Sequence, residues 1–385
     1  MRTFRIVAAL GAALLGGALV SSARADINVG VVLSLTGPGA SLGMPAKNTV
    51  ELWPKEIAGQ KLVVTVLDDG SDPTAAGIAA RKLVTEYKAD VLVGSSITPT
   101  SLAVVNVAGE TETAVLTLAG SNALVLPAEG PRRWSFKLPP SEEVPLKMIF
   151  DEMKKTGKKT LAIVAIANAY GQTFLDVAQK MAPAAGIQIV DVERYQATDT
   201  SFVAQTLKLI AAKPDAVFIA AAGTPAAMPQ IELKNRGYTG TQFQTQAVAN
   251  NDYLRVGGAA VNGTLMPVSP LLVAEQLPAR NQIKAVATNY VNKYEGAHGP
   301  GSRSLFGGMA WDAYLLLEHA VPGALKGGAP GTAAFRKSLR DTLEKTNDLV
   351  LTEGVYSMSA TDHNGADARS QVMVLVDNGK WKYVE

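Results

Sequence analysis

From residue 26 onward, short continuous apolar runs alternate with segments of helical period, and this alternation restricts the fold more than any other feature. Residues 27–33, 62–67, 91–93, 114–118, 161–166, 187–192, 216–220 and 242–245 have the length and β-branched content of buried strands. Between them, residues 74–87, 99–112, 142–156, 169–185, 201–212 and 225–236 read as helices. Strands that lack polar alternation are buried on both faces, so they call for parallel sheets covered by helices on each side. Asp72-Pro73, Asp199-Thr200-Ser201 and Thr224-Pro225 each place an acceptor or a proline at a helix start. The pattern predicts an α/β protein.

One internal echo suggests two such units. Lys88-Ala89-Asp90 leads through an apolar run to Thr98-Pro99 and a helix, and Lys213-Pro214-Asp215 leads likewise to Thr224-Pro225. Turn-rich stretches at 137–141 and 266–270 mark crossovers. Three long helices follow, near 275–295, 305–324 and 332–346, before a strand at 372–376, a turn at 377–379 and a strand at 381–384. The order permits a chain that visits lobe 1 (26–140 and 269–351) and lobe 2 (141–268 and 352–385) alternately, through three hinge strands.

Residues 1–25 stand outside this pattern. A basic start, an apolar stretch and Ala23-Arg24-Ala25 read as a signal peptide cleaved after Ala25, too short to span a membrane. Removing its three arginines from the 36 basic residues leaves 33 against 34 acidic ones, a near-neutral surface that argues against a nucleic-acid partner. The chain has no cysteine, which rules out a disulfide framework, zinc thiolates and a cysteine nucleophile. Its three histidines, His298, His319 and His363, are widely separated and show no metal-binding spacing. No cofactor and no metal site are expected.

Several stretches imitate catalytic motifs. Val29 to Gly43 reads strand, glycine loop, helix, but the spacing is G-x-G-x-x-x-G and Pro38 removes an N–H from the turn. A tight turn that packs the first helix on the sheet accounts for it. Gly94-Ser95-Ser96-Ile97 is not a nucleophile elbow. Asp362-His363-Asn364-Gly365 starts like a calcium loop, lacks the closing glutamate, and reads better as an Asx turn. No catalytic set survives, so an enzyme is not expected. What remains is residues 91–101, where a buried strand gives way to Ser95, Ser96, Thr98, Thr100 and Ser101 around Pro99. A strand end meeting a helix N-terminus is a ready anion site; the plainer reading is that Thr98 caps the helix.

The ordered segments LSLTGPGASLG, DDGSDPTAAGIAARKLV, VLVGSSITPTSLAV, LTLAGSN, AYGQTFLDVA and TDTSFVAQTLKLIAAKPDAVFIA resemble the solute-binding proteins of branched-chain amino-acid (Leu/Ile/Val-binding-like) ABC importers. The resemblance covers essentially all of the mature chain. It implies the type I periplasmic-binding fold, two doubly wound lobes enclosing a small-molecule ligand, a periplasmic monomer, and docking to inner-membrane ABC permease subunits. It also implies that a ligand carboxylate is held at Ser96 and at Ala119, Gly120 and Ser121, with Tyr170 closing from the second lobe and the backbone near Gly223 bordering the pocket. Leu42 falls where some relatives place a large aromatic over the ligand. Gln246 falls where amino-acid binders place an acidic partner for the ligand's ammonium, and no Asp or Glu lies between Leu233 and Asn251. An acid without an amino group fits these residues better, an aromatic acid such as a benzoate derivative first. A branched-chain amino acid, an amide or a urea-like solute is the alternative, as is a sensory domain of the same fold.

Overall fold

The computed structural model describes residues 25–385, so all of the expected leader except Ala25 lies outside the described residues. The first lobe runs β1 (Ile27–Leu33), α1 (Ala40–Glu51), β2 (Glu56–Ile57), β3 (Gln60–Asp68), α2 (Pro73–Thr85), β4 (Val91–Gly94), α3 (Thr98–Glu110), β5 (Ala114–Thr117) and β6 (Ser135–Lys137). Its sheet has the order β2-β3-β1-β4-β5-β6, parallel except for the short β2 at the edge. Every residue of β4 and β5 is buried, as the continuous apolar runs require.

The second lobe runs α4 (Glu143–Lys155), β7 (Thr160–Ile166), α5 (Ala169–Ala185), β8 (Gln188–Tyr195), α6 (Val203–Ala211), β9 (Ala216–Ala220), α7 (Ala227–Asn235), β10 (Thr241–Gln244), α8 (Asn251–Gly257) and β11 (Leu265–Val268). Then come α9 (Lys284–His298), α10 (Leu305–Ala324) and α11 (Ala333–Leu343), a two-strand pair of β12 (Leu349–Val350) and β13 (Val355–Tyr356), and finally β14 (Val372–Asp377) and β15 (Lys380–Val384). The second sheet has the order β15-β14-β11-β10-β9-β7-β8, with β14 and β15 antiparallel. None of the described helices is long and apolar enough to cross a membrane.

The echoed K-x-D segments occupy equivalent places. Lys88 and Lys213 both adopt positive φ, at 54° and 49°. Asp90 then accepts the Asn28 N–H at the start of β1, and Asp215 accepts those of Lys159 and Thr160 at the start of β7. Each carboxylate ties the third parallel strand of its sheet, β4 or β9, to the first.

Helices α9 to α11 return to the first lobe. Trp53 Nε1 on that side donates to Ala310 O at 3.1 Å, and the Thr49 and Tyr290 hydroxyls lie 2.7 Å apart. The first and third crossings between lobes are tied together: Asn364 Nδ2 donates to the carbonyls of Lys137 and Pro139, and the Tyr356 hydroxyl donates to that of Leu138. Asp362 Oδ1 accepts the N–H groups of Asn364 and Gly365, the Asx turn read from the sequence.

Three expectations need correction. The helix read at 275–295 begins only at Lys284, because a 3-10 segment, Pro270–Gln276, and Pro278 precede it. Asp199 does not cap α6; it accepts the Gln196 N–H and closes a turn. Residues 266–270, read as turn-rich, include the strand β11. Pro267 is tolerated there because β11 meets β10 at a single register position, Phe243 opposite Leu265.

Candidate functional site

In each sheet the first strand, β1 or β7, lies where chain connections leave in opposite directions, and open α/β sheets bind ligands beyond the strand ends at such points. The two switch points face each other across a cavity of about 60 Å³. The first lobe supplies Gly39 after β1, Ser96 and Thr98 after β4, and Leu118 to Gly120 after β5. The second supplies Asn168 and Tyr170 after β7, Ala222 and Pro225 after β9, and Gln246 after β10. Phe306 and Met309 of α10 complete the wall. No acidic or basic side chain lines it among the described residues.

The five hydroxyls around Pro99 divide into two sets. Ser95, Thr100 and Ser101 belong to the scaffold. Ser95 Oγ donates to Asp69 Oδ2, Thr100 Oγ1 donates to Ser95 Oγ, and Ser101 Oγ accepts the Ser95 N–H at 3.1 Å. Ser96 and Thr98 reach the cavity. Ser96 Oγ accepts the Ser34 N–H at 3.1 Å, which leaves its own proton for a ligand. Thr98 Oγ1 is buried and has no hydrogen-bond partner among the described residues. Thr98 is not the cap of α3: Ile97 holds that position and makes no side-chain cap bond, and Thr98 is the first helical residue. An anion here would meet two hydroxyls and the N-terminal end of a 13-residue helix.

Asp68, which ends β3, and Asp69 after it are occupied locally. Asp68 accepts the N–H groups of Leu35 and Gly70 and the Thr36 hydroxyl, and these hydrogen bonds hold its carboxyl below the ordinary range although its partial burial acts in the opposite direction. Gly43 shows why the loop is glycine-rich: a side chain there would collide with the Ser34 carbonyl as α1 packs on β1.

On the second lobe, Asn168 caps α5 through its oxygen. Tyr170 is 6 % exposed, packs edge-on against Phe174, and is kept protonated because burial pushes its phenol up. Gln246 is 8 % exposed, and its oxygen accepts a hydrogen bond from Gln371 at 2.7 Å. Ser96, Ala119, Gly120, Tyr170 and Gln246 are thus brought together as read from the sequence. Ser121, Leu42 and Gly223 do not line the cavity. Ser121 Oγ lies 2.8 Å from Thr173 Oγ1, a contact between the lobes, and accepts the Ala123 N–H. Leu42 faces inward from α1 with Ala46 and Val50 and is fully buried in the first lobe. Gly223 donates its N–H to Ala247 O and leaves the wall to its neighbours. Sequence reasoning missed Asn168, Phe306 and Met309. Only the cap position before α5 offered a signal for the first.

Two α/β lobes closed over a cavity between their switch points define a solute-binding protein. The chain matches the periplasmic binding protein family over residues 26–380 and belongs to it. It is 27% identical over 253 residues to Leu/Ile/Val-binding protein homolog 3 of Brucella melitensis, covering 64% of this chain and 68% of that one. An extracellular ligand-binding receptor from Rhodopseudomonas palustris HaA2 is 40% identical, with a TM-score of 0.90 over 94% of this chain and 100% of the other. An ABC-transporter solute-binding protein of R. palustris, solved in complex with benzoate, shares the fold at 21% identity and a TM-score of 0.78, over 94% of this chain and 96% of its own.

Proposed function

We propose that this protein captures a small organic carboxylate lacking an amino group and delivers it to an inner-membrane ABC permease from the periplasm, acting as a monomer. The lobes comprise residues 26–140 with 269–351 and 141–268 with 352–385, and they move about the three crossings. The observation that carries the ligand class is a cavity wall without any acidic side chain among the described residues. An ammonium entering such a site loses its water without gaining a counter-ion, at a cost of several kcal/mol. A carboxylate instead meets Ser96, Thr98 and the start of α3.

The apolar wall of Ile97, Leu118, Ile166, Phe306 and Met309 suits a hydrocarbon or aromatic body, and the benzoate complex of the distant relative makes an aromatic acid the first class to test. Size divides the candidates. A cavity of about 150 Å³ takes benzene in an engineered core, so a ring calls for lobes set further apart than a short aliphatic acid does. The name of the Brucella relative keeps leucine, isoleucine and valine as the competing reading. A thermal-shift screen decides between them. An acid at 100 times its dissociation constant adds about 2.7 kcal/mol of stability, and we expect shifts with carboxylic acids and none with these amino acids. Shifts with the amino acids alone would reverse the proposal.

A further inference from the structure

Two carboxamides of the second lobe line the cavity, Asn168 and Gln246, and in both the oxygen is already committed. Asn168 Oδ1 accepts the N–H groups of Tyr170 and Gly171 at 2.9 and 3.2 Å, and two backbone donors require an oxygen at that position. Gln246 Oε1 accepts from Gln371 Nε2 at 2.7 Å. The direction of that bond is set one step further back: Gln371 Nε2 also donates to the Ser370 carbonyl at 2.8 Å, and a carbonyl only accepts. Gln371 therefore presents its NH2 to Gln246, and Gln246 turns its own NH2 away. Neither Asn168 Nδ2 nor Gln246 Nε2 makes a hydrogen bond to another described residue. The second lobe thus faces the cavity with donors.

We infer that the solute carries, besides the carboxylate bound at Ser96 and Thr98, a second oxygen acceptor at the end facing the second lobe, a carbonyl or a further carboxylate. Gln371 is a positioning residue that sets this preference through Gln246 without lining the cavity. The inference rests on the acid reading above. A donor group such as an ammonium would meet the donors of Asn168 and Gln246, whereas a purely apolar end would leave two amide NH2 groups desolvated and unpaired, which is costly.

The test is titration calorimetry on the mature chain with two matched pairs, pentanoate against 4-oxopentanoate and benzoate against 4-carboxybenzoate. The acid bearing the second oxygen acceptor is expected to bind at least tenfold tighter in one pair or the other. Gln371→Met is expected to shrink that advantage below threefold while leaving the affinity for the simple acid unchanged. Equal affinities within both pairs, with the simple acids bound in a Thr98-dependent way, would overturn this inference and leave the acid reading standing. Leucine binding with no binding of any of the four acids would overturn both. The wild-type comparison needs no variant to fold.

Discussion

Ser96 and Thr98 stand two residues apart, yet removing the hydroxyl of each has different consequences. Both variants should lose about 1.5–3 kcal/mol of affinity for a carboxylate, the range for hydrogen bonds to charged groups. Ser96→Ala also strips the buried Ser34 N–H of the Ser96 Oγ acceptor, so the unfolding free energy should fall as well, by ~1–3 kcal/mol. Thr98→Val keeps the shape and removes a hydroxyl that has no partner among the described residues, so its stability should hold. Calorimetry and urea unfolding of the two variants check this. A Thr98→Val protein that unfolds more easily but binds normally would make Thr98 structural. The loop was legible in the sequence because five hydroxyls crowd one strand end, and the resemblance singled out Ser96 among them. Thr98 was misread because an isolated threonine before proline looks the same whether it caps the helix or opens it. Phe306 and Met309 were illegible for another reason: α10 is buried on most of its faces, so its pattern shows no side chosen for the cavity.

At the scale of elements, α10 and the third crossing share a buried acidic pair. Asp312 accepts the N–H groups of Thr352 and Glu353, at 2.7 and 3.0 Å, and burial pushes its carboxyl up to about 7. Glu353 is buried with neither oxygen partnered among the described residues, and burial, then the charge of Asp312, push it well above the usual range. Unfolded carboxyls ionise near pH 4, so between about 4 and 7 the folded chain holds a proton on Asp312 that the unfolded chain has lost. Stability should therefore fall as pH rises through that window, and for Asp312 level off above 7. Depressed carboxylates such as Asp68 and Asp215 act in the opposite sense, but below about pH 4. Urea midpoints at pH 5, 6, 7 and 8 should decline in the wild type and decline less in Asp312→Asn. A midpoint that rises from pH 5 to 7 would contradict this. Nothing in the sequence flagged the pair, because Asp312 and Glu353 are 41 residues apart. The same distance effect hid β6 and β11, short strands whose partners β5, β10 and β14 supply the order that their own residues do not. The long apolar strands β1, β7 and β9 were plain because their burial is continuous along the chain.

Across the whole molecule, the lobes touch at Ser121 and Thr173, and a side chain at Gly120 would press against the Tyr170 ring. A ligand that contacts both lobes gains those contacts only when they are shut, so it should shift the population toward a closed form. Small-angle scattering should show a smaller radius of gyration with a saturating acid than without. An unchanged radius, with binding shown independently, would place the site elsewhere. Exclusion of the ammonium is open to one calorimetric comparison: leucine against 4-methylpentanoate, the same carbon skeleton without the amino group, with 4-hydroxybenzoate alongside. Each 1.4 kcal/mol is tenfold, so a desolvation cost of several kcal/mol predicts that leucine binds at least about 100-fold more weakly than the better of the two acids. Submicromolar leucine binding by the wild type, with either acid weaker, would contradict the account and make Gln246 part of an amino-acid site.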